Sequence, residues 1–234
     1  MGTTPFHVGL TAVTVTDAAV ALTRESHLYA WSVRDLARAL EVVPSVIYHH
    51  VGGKDGLARA VAERVLGGLP LPSASLSWEA WFRELLAAIY DETVLYPGVA
   101  KWVVLHGPVF PSVLPIIDRG VRLLEDAGFG PDAVAAYATL LNNAVLTISV
   151  SDDRLLHEDD GPRDHAAMMA DFERVAVDDP DLRARALALV RPFSSGGEEA
   201  SRSRRRYYDF TVETTIRGLR ARLAEPADPT RDPR

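Results

Sequence analysis

The chain has 234 residues, which allows one large domain or a small and a medium one. Hydrophobic residues make up 47% and charged residues 24%, a globular balance that excludes a wholly disordered chain; with no cysteine, disulfides and thiolate metal sites are excluded too. The net charge of −7 argues against general attraction to a polyanion, so any hold on nucleic acid has to be built locally.

Met1 to Val15 lacks a basic cluster ahead of an apolar core, so no signal peptide is expected and a cytoplasmic location is. Val15, Ala18, Ala19 and Leu22 recur at the spacing of one helix face and predict a first helix, capped by Thr11 or Thr14. Ser32 precedes a second periodic run, Val33, Leu36, Ala37 and Leu40. After the turn Glu41-Val42-Val43, Pro44 opens a third helix without losing a hydrogen bond. Gly52-Gly53 stops it, and Lys54 to Leu66 forms a fourth. Gly67 to Ser77, rich in Gly, Pro and Ser, reads as a linker.

Beyond the linker, Trp78 to Leu95 is amphipathic, and shorter helices are expected at Val99–His106 and Pro111–Ala127. Pro131 opens the most apolar helix, to about Val150. Its run from Ala133 is broken by Asn142-Asn143 and lacks the continuity of a bilayer span, so no membrane partner is expected. Ser151 to Asp164 reads as an acidic loop. Weaker helices at 166–177 and 181–190 lead to a polar loop, Ser194–Ser203, and Arg204 to Leu223 makes the last helix. The span 150–203 is thus expected to be loop-rich and the tail 225–234 disordered. No strand-type alternation stands out. The fold class is all-α, with a helix-turn-helix domain at 1–70 and a larger helical domain at 71–234.

The informative segment is Ser32 to Lys54. Two helices joined by a three-residue turn cross closely only with a small residue at the contact, and Ala37 stands there. Leu36, Leu40, Val42 and Ile47 are spaced to fill the core between them. Such a unit exposes the start of its second helix, which fits a major groove roughly 12 Å wide. Pro44, Ser45, Tyr48 and His49 then face outward, and Lys54 beside helix N-terminal amides suits a phosphate. The plainer reading of Tyr48-His49-His50 is an aromatic turn packing the small domain.

These residues resemble the N-terminal domain of the TetR family of regulators: Asp17-Ala18-Ala19, Ser32-Val33-Arg34-Asp35-Leu36-Ala37, Val42, Ile47-Tyr48-His49-His50-Val51 and Lys54-Asp55, without a gap. The body resembles the tetracycline-repressor subgroup through Ser77-Trp78, Tyr96-Pro97-Gly98, Gly128-Phe129, Asp209-Phe210 and Gly218-Leu219. The resemblance implies DNA contact by Arg34, Pro44, Ser45, Val46, Tyr48, His49, His50 and Lys54. It implies a homodimer on a pseudo-palindromic double-stranded operator, formed through the helices 131–150 and 204–223. From the residues alone, the stripe Val134, Tyr137, Leu140-Leu141, Ala144-Val145 and Ile148 suits either a dimer surface or the interior of one chain. The resemblance also implies a small-molecule effector in a cavity lined by Trp81, Leu85, Ile89, Trp102, Val103, His106, Phe110, Asn143 and Thr147, moving the 98–107 helix against the 54–66 helix.

Two features depart from that family's pattern. Glu41 occupies a turn position that usually carries glycine, at a cost of roughly 1 kcal/mol for a left-handed residue. Through Leu66 there are five arginines and one lysine against six acidic residues, the first cation being Arg24, so the head is neutral. Pro70, Leu85 and Val103 stand where the subgroup's metal-chelate site has ligands and only Asn143 stays polar, so the effector is expected to be largely apolar or aromatic. No nucleophile elbow, phosphate-binding glycine loop or paired-histidine zinc signature occurs. No catalytic or metal-binding residue and no cofactor is therefore expected. His157-Glu158-Asp159-Asp160 with Asp164-His165 reads as a solvated acidic loop, and Arg202 with Arg204-Arg205-Arg206 as a solvated helix start. The competing function is a dimeric ligand-binding accessory protein with a degenerate helix-turn-helix.

Overall fold

In a computed structural model of the chain, which describes residues 10–108, 110–157, 164–174, 179–194 and 197–224, both candidate caps of the first helix are used. The Thr11 hydroxyl accepts the Thr14 amide at 3.1 Å, and the Thr14 hydroxyl accepts the Thr11 amide at 2.8 Å, opening α1 (Ala12–Glu25). These bonds satisfy two amides that a helix start leaves unpaired. Ser32 and Asp35 repeat the device for α2 (Val33–Ala39). Pro44 sits in the first turn of α3 (Pro44–Val51), and Gly52-Gly53 separates it from α4 (Lys54–Leu66). Glu41 holds φ 54°, the strained left-handed backbone expected of its turn position.

The body follows as α5 (Trp78–Thr93), α6 (Val99–His106), α7 (Leu114–Leu124), α8 (Ala133–Leu156), α9 (His165–Arg174), α10 (Pro180–Ser194) and α11 (Gly197–Ala224). There is no strand among the described residues. Several boundaries differ from expectation, and the described residues of 150–203, expected to be loop-rich, are mostly helical; two extensions matter most. α8 runs on to Leu156, because the acids read as a loop signal are docking points: Asp152 accepts the Gly98 amide at 3.0 Å and Asp153 pairs with Lys101 at 3.0 Å. α11 starts at Gly197, ahead of Arg204. Glu198 and Glu199 complement its N-terminal dipole, Ala200 is buried, and Arg202 pairs with Glu198 one turn back. Glu158 to Asp160 of the acidic cluster, residues 1–9 and the tail 225–234 lie outside the described residues.

Two cores result. In the head, Val15, Leu28, Leu36, Ile47, Leu57 and Val61 are fully buried around Ala37, and α6 adds Val99 and Trp102 from beyond the linker. In the body, Trp81, Phe82, Leu85 and Leu86 of α5 meet Leu140, Ala144, Val145 and Ile148 of α8 and Tyr208, Val212 and Ile216 of α11. Each large side chain so buried stabilises by about 1.5–3 kcal/mol. The α8 stripe expected at a dimer surface is thus mostly inward-facing, because α5, α6, α7 and α11 all pack on that helix. The large hydrophobic side chains that α8 and α11 leave exposed include Val134, Leu146, Val150, Tyr207 and Phe210.

Candidate DNA-reading head and ligand cavity

Leu36 and Ile47 are fully buried between α2 and α3, Leu40 and Val42 pack half-buried beside them, and Ala37 lies at the helix contact as its size required. That packing sets the outer face of α3. Ser45, Tyr48 and His49 are exposed, Pro44, Val46 and His50 are half-buried, and Arg34 is exposed at the start of α2. His49 and His50 meet edge to face at 5.6 Å. Val43, which the sequence reading left out, is exposed just ahead of α3. It is an apolar side chain held out by the proline that follows it.

Lys54 is a correction. Its ammonium turns inward, donating to the carbonyls of Leu28 at 2.9 Å and Trp31 at 2.8 Å and lying over the Trp31 ring. Burial holds its pKa down at about 8 against the opposing pull of Asp35. Two of its three donors are committed, so it locks the α1–α2 connection to α4 and offers little to a phosphate. Spacing had placed it near the DNA side, but the carbonyls left unpaired after α1 were not visible in a linear reading.

Behind the head, the start of α6 is a crowded junction. Gly98 holds φ +90°, and a Cβ there would stand 2.6 Å from Cε1 of His27. The Leu28 amide donates to the Pro97 carbonyl at 2.8 Å, and the Tyr29 amide donates to His27 Nδ1 at 3.1 Å. Burial drives the His27 pKa down to about 4, with Asp153 pulling the other way. Burial pushes the Asp152 carboxyl up to about 7, although the Gly98 amide and Arg204 favour its charged form. Neither His27 nor Asp152 was among the expected site residues. The signal available was Tyr96-Pro97-Gly98, a turn followed by a residue that needs glycine.

α6 is amphipathic in an uncommon sense, with two apolar faces. Val99 and Trp102 enter the head core, where Trp102 stacks on Phe110 at 5.4 Å and on His106 at 4.5 Å. Ala100, Val103 and Val104 instead line a cavity of about 130 Å³ between α5, α6, α7 and α8. Val103 packs against both cores. Of the expected lining residues, Leu85, Ile89 and Val103 are there. Trp102, His106 and Phe110 form a stack on the head side, and Trp81 is buried edge-on to Phe82 at 5.0 Å. Asn143 is exposed and donates to Thr215 Oγ1 at 3.2 Å, in the groove between α8 and α11, while its neighbour Asn142 lines the cavity. Thr147 faces a separate cleft toward α11. Both amides are exposed, and the helix phase, one residue in error around Asn142-Asn143, decides which of them borders the cavity. The remaining polar side chains on the cavity wall are Thr93 and Tyr137, and burial raises the Tyr137 pKa to about 12.

Residues 15–61 match the family model described as bacterial regulatory proteins, tetR family. No curated protein matches the chain. Solved structures share the fold across the chain. The Streptomyces coelicolor TetR family protein ActR, in complex with (S)-DNPA, has 20% identity and a TM-score of 0.67, over 92% of this chain and 100% of its own. A single-residue variant of TetR from Acinetobacter baumannii, in complex with minocycline, has 20% identity and a TM-score of 0.67, over 95% and 100%. BioQ of Mycobacterium smegmatis has 20% identity and a TM-score of 0.63, over 91% and 98%. BioQ has also been solved with its double-stranded DNA operator, with a TM-score of 0.57 over 62% of this chain. Residues 15–61 are thus similar to the bacterial regulatory proteins of the tetR family, and the chain shares its fold with solved proteins such as ActR.

Proposed function

We propose that the chain is a cytoplasmic, homodimeric transcriptional repressor that reads a pseudo-palindromic operator through paired α3 helices and is released by a small, largely apolar or aromatic effector. The observation that carries this reading is the double burial of α6: one face belongs to the core of the head and the other lines the body cavity. A ligand filling the cavity acts on the packing of the head through α6 and through Leu66 of α4, which also lines the cavity, provided it prefers one arrangement of the two. The cavity wall, mostly Leu, Ile, Val and Ala with Thr93, Tyr137 and Asn142, supports an apolar effector fixed by a few hydrogen bonds.

Arg34, Pro44, Ser45, Val46, Tyr48, His49 and His50 are the residues assigned to DNA, with Val43 added for a thymine methyl. The exposed apolar side chains Val134, Leu146, Val150 and Phe210 of α8 and α11 support pairing of two chains through these helices. BioQ bound to its operator, and ActR and the Acinetobacter baumannii TetR variant bound to small molecules, support the two halves of the reading.

The inward Lys54 and the exposed Glu41 favour the second reading, a ligand-binding accessory protein with a degenerate reader. Fluorescence anisotropy of labelled DNA from upstream of the chain's own gene separates the two. Saturable binding that falls at least about tenfold in Arg34→Ala/Tyr48→Ala, with helicity unchanged, is the expected result. Binding that is absent, or indifferent to that pair, leaves the accessory protein as the correct reading.

A further inference from the structure

A cleft of about 530 Å³ lies between α5, the second half of α8 and the first half of α11, separate from the central cavity. Tyr90, Val94 and Ile148 give it an apolar and aromatic wall. Its polar residues are uneven in what they offer. Thr147 and Ser151 donate their hydroxyl protons to carbonyls of their own helix, and Tyr208 donates to the Leu86 carbonyl. Arg205 is held by Asp91 and Asp209, and Arg202 by Glu198. Arg204 stands apart. It lines the cleft half-buried, donates only to Ser201 Oγ at 3.1 Å, and pairs with no carboxylate among the described residues. A half-buried guanidinium so placed carries a desolvation cost that a carboxylate would offset with two parallel bonds.

Asp152 also lines the cleft; it is buried and accepts the Gly98 amide at the junction with the head. We propose that this cleft is a second ligand site, for an aromatic monocarboxylate gripped by Arg204 against Tyr90, and that it acts on the Gly98 junction through Asp152. A carboxylate fits better than a phosphate. Beside Asp152, a monoanion shares one proton with the buried carboxyl, whereas a phosphate dianion meets a second negative charge. The charged groups acting on Asp152 are Asp153 on its own helix and Arg204 on α11; His27, on the far side of Gly98, is in turn faced by Asp153, Lys101 on α6, Lys54 on α4 and His157 just past the end of α8. Burial already holds the Asp152 carboxyl up at about 7, so a neighbouring anion keeps it protonated and weakens its hold on the Gly98 amide. The inference does not rest on DNA binding, and it concerns a different site from the central cavity.

Isothermal titration of the full chain with benzoate tests it. The expected result is saturable binding of one benzoate per chain. Affinity falls about tenfold or more in Arg204→Gln, recovers in part in Arg204→Lys, and holds in Val103→Trp, which fills the central cavity. Proton uptake, read as a dependence of the binding heat on the ionisation enthalpy of the buffer, is expected in the wild type and absent in Asp152→Asn. Inorganic phosphate is expected not to compete. Circular dichroism and the thermal midpoint show whether each variant is folded. The proposal is overturned if benzoate gives no saturable binding, if a folded Arg204→Gln binds like the wild type, if Val103→Trp abolishes binding, or if phosphate displaces benzoate from the site.

Discussion

The two faces of α6 differ in how they are filled. Toward the head, Val99 and Trp102 meet a closed core in which Leu36, Ile47, Leu57 and Val61 have no exposed surface. Toward the body, Ala100 and Val103 border open space, and the neighbouring Val104 is partly exposed. A closed core transmits displacement because close-packed side chains cannot absorb it, while an open one accepts new atoms. A helix with one face of each kind is suited to pass an event in the cavity to the reading head.

The largest effect is expected at the junction that fixes the start of α6. Gly98→Ala places a methyl against the His27 ring in a backbone conformation disfavoured for alanine, and it is expected to cost about 3 kcal/mol in urea unfolding. A cost below about 1 kcal/mol means the junction yields, and with it the rigid link between the two cores. Adding bulk then probes the two faces directly. Ala37→Leu in the closed core is expected to cost about 2 kcal/mol, whereas Val103→Phe, entering the cavity, should stay within about 1 kcal/mol of the wild type. Equal costs would erase the contrast.

The junction also has a pH signature. The Asp152 pKa is raised from 3.8 to about 7, so its stabilising share is whole below pH 3.8 and is lost as pH rises through 7. The His27 pKa is lowered from 6.5 to about 4, so its share is present above 6.5 and is lost as pH falls toward 4. Between these limits the two slopes oppose each other. Asp152→Asn removes one of them and is expected to gain on the order of 2 kcal/mol over the wild type at pH 8 and almost nothing at pH 4. A pH-independent difference would mean that the carboxyl ionises freely in the folded chain. The smallest effect concerns salt. With Lys54 turned inward and the head neutral, the dependence of DNA affinity on salt should be shallow, and a slope implying about eight or more phosphate contacts would refute it.

Much of the head was legible because its signals are local. Thr11, Ser32, Pro44 and Gly52-Gly53 mark helix ends by their own backbone chemistry, and Ala37 marks a close contact by its size. Glu41 was correctly placed in a left-handed turn. Less of the body was legible, because its signals depend on partners distant in sequence. Asp152 and Asp153 look like loop residues until Gly98 and Lys101 are brought to them, so α8 was ended too early. Arg204 looked like a helix start until Glu198 and Ala200 were seen to extend α11 before it. The cavity lining was the least legible part. Leu85, Ile89 and Val103 were found because α5 and α6 have clear phase, but Trp102, His106 and Phe110 turn toward the head. A buried helix with apolar residues on several sides does not declare which side meets empty space.

The central claim is that filling the cavity reaches the reading head through α6. Its most direct test is the affinity of Val103→Trp for DNA upstream of the chain's own gene, measured by fluorescence anisotropy beside the wild type. Val103 touches both cores and lies far in the chain from every residue assigned to DNA. With native helicity, Val103→Trp is expected to bind that DNA at least about tenfold more weakly than the wild type, mimicking a permanent effector. A folded Val103→Trp that binds the DNA as tightly as the wild type would contradict the account.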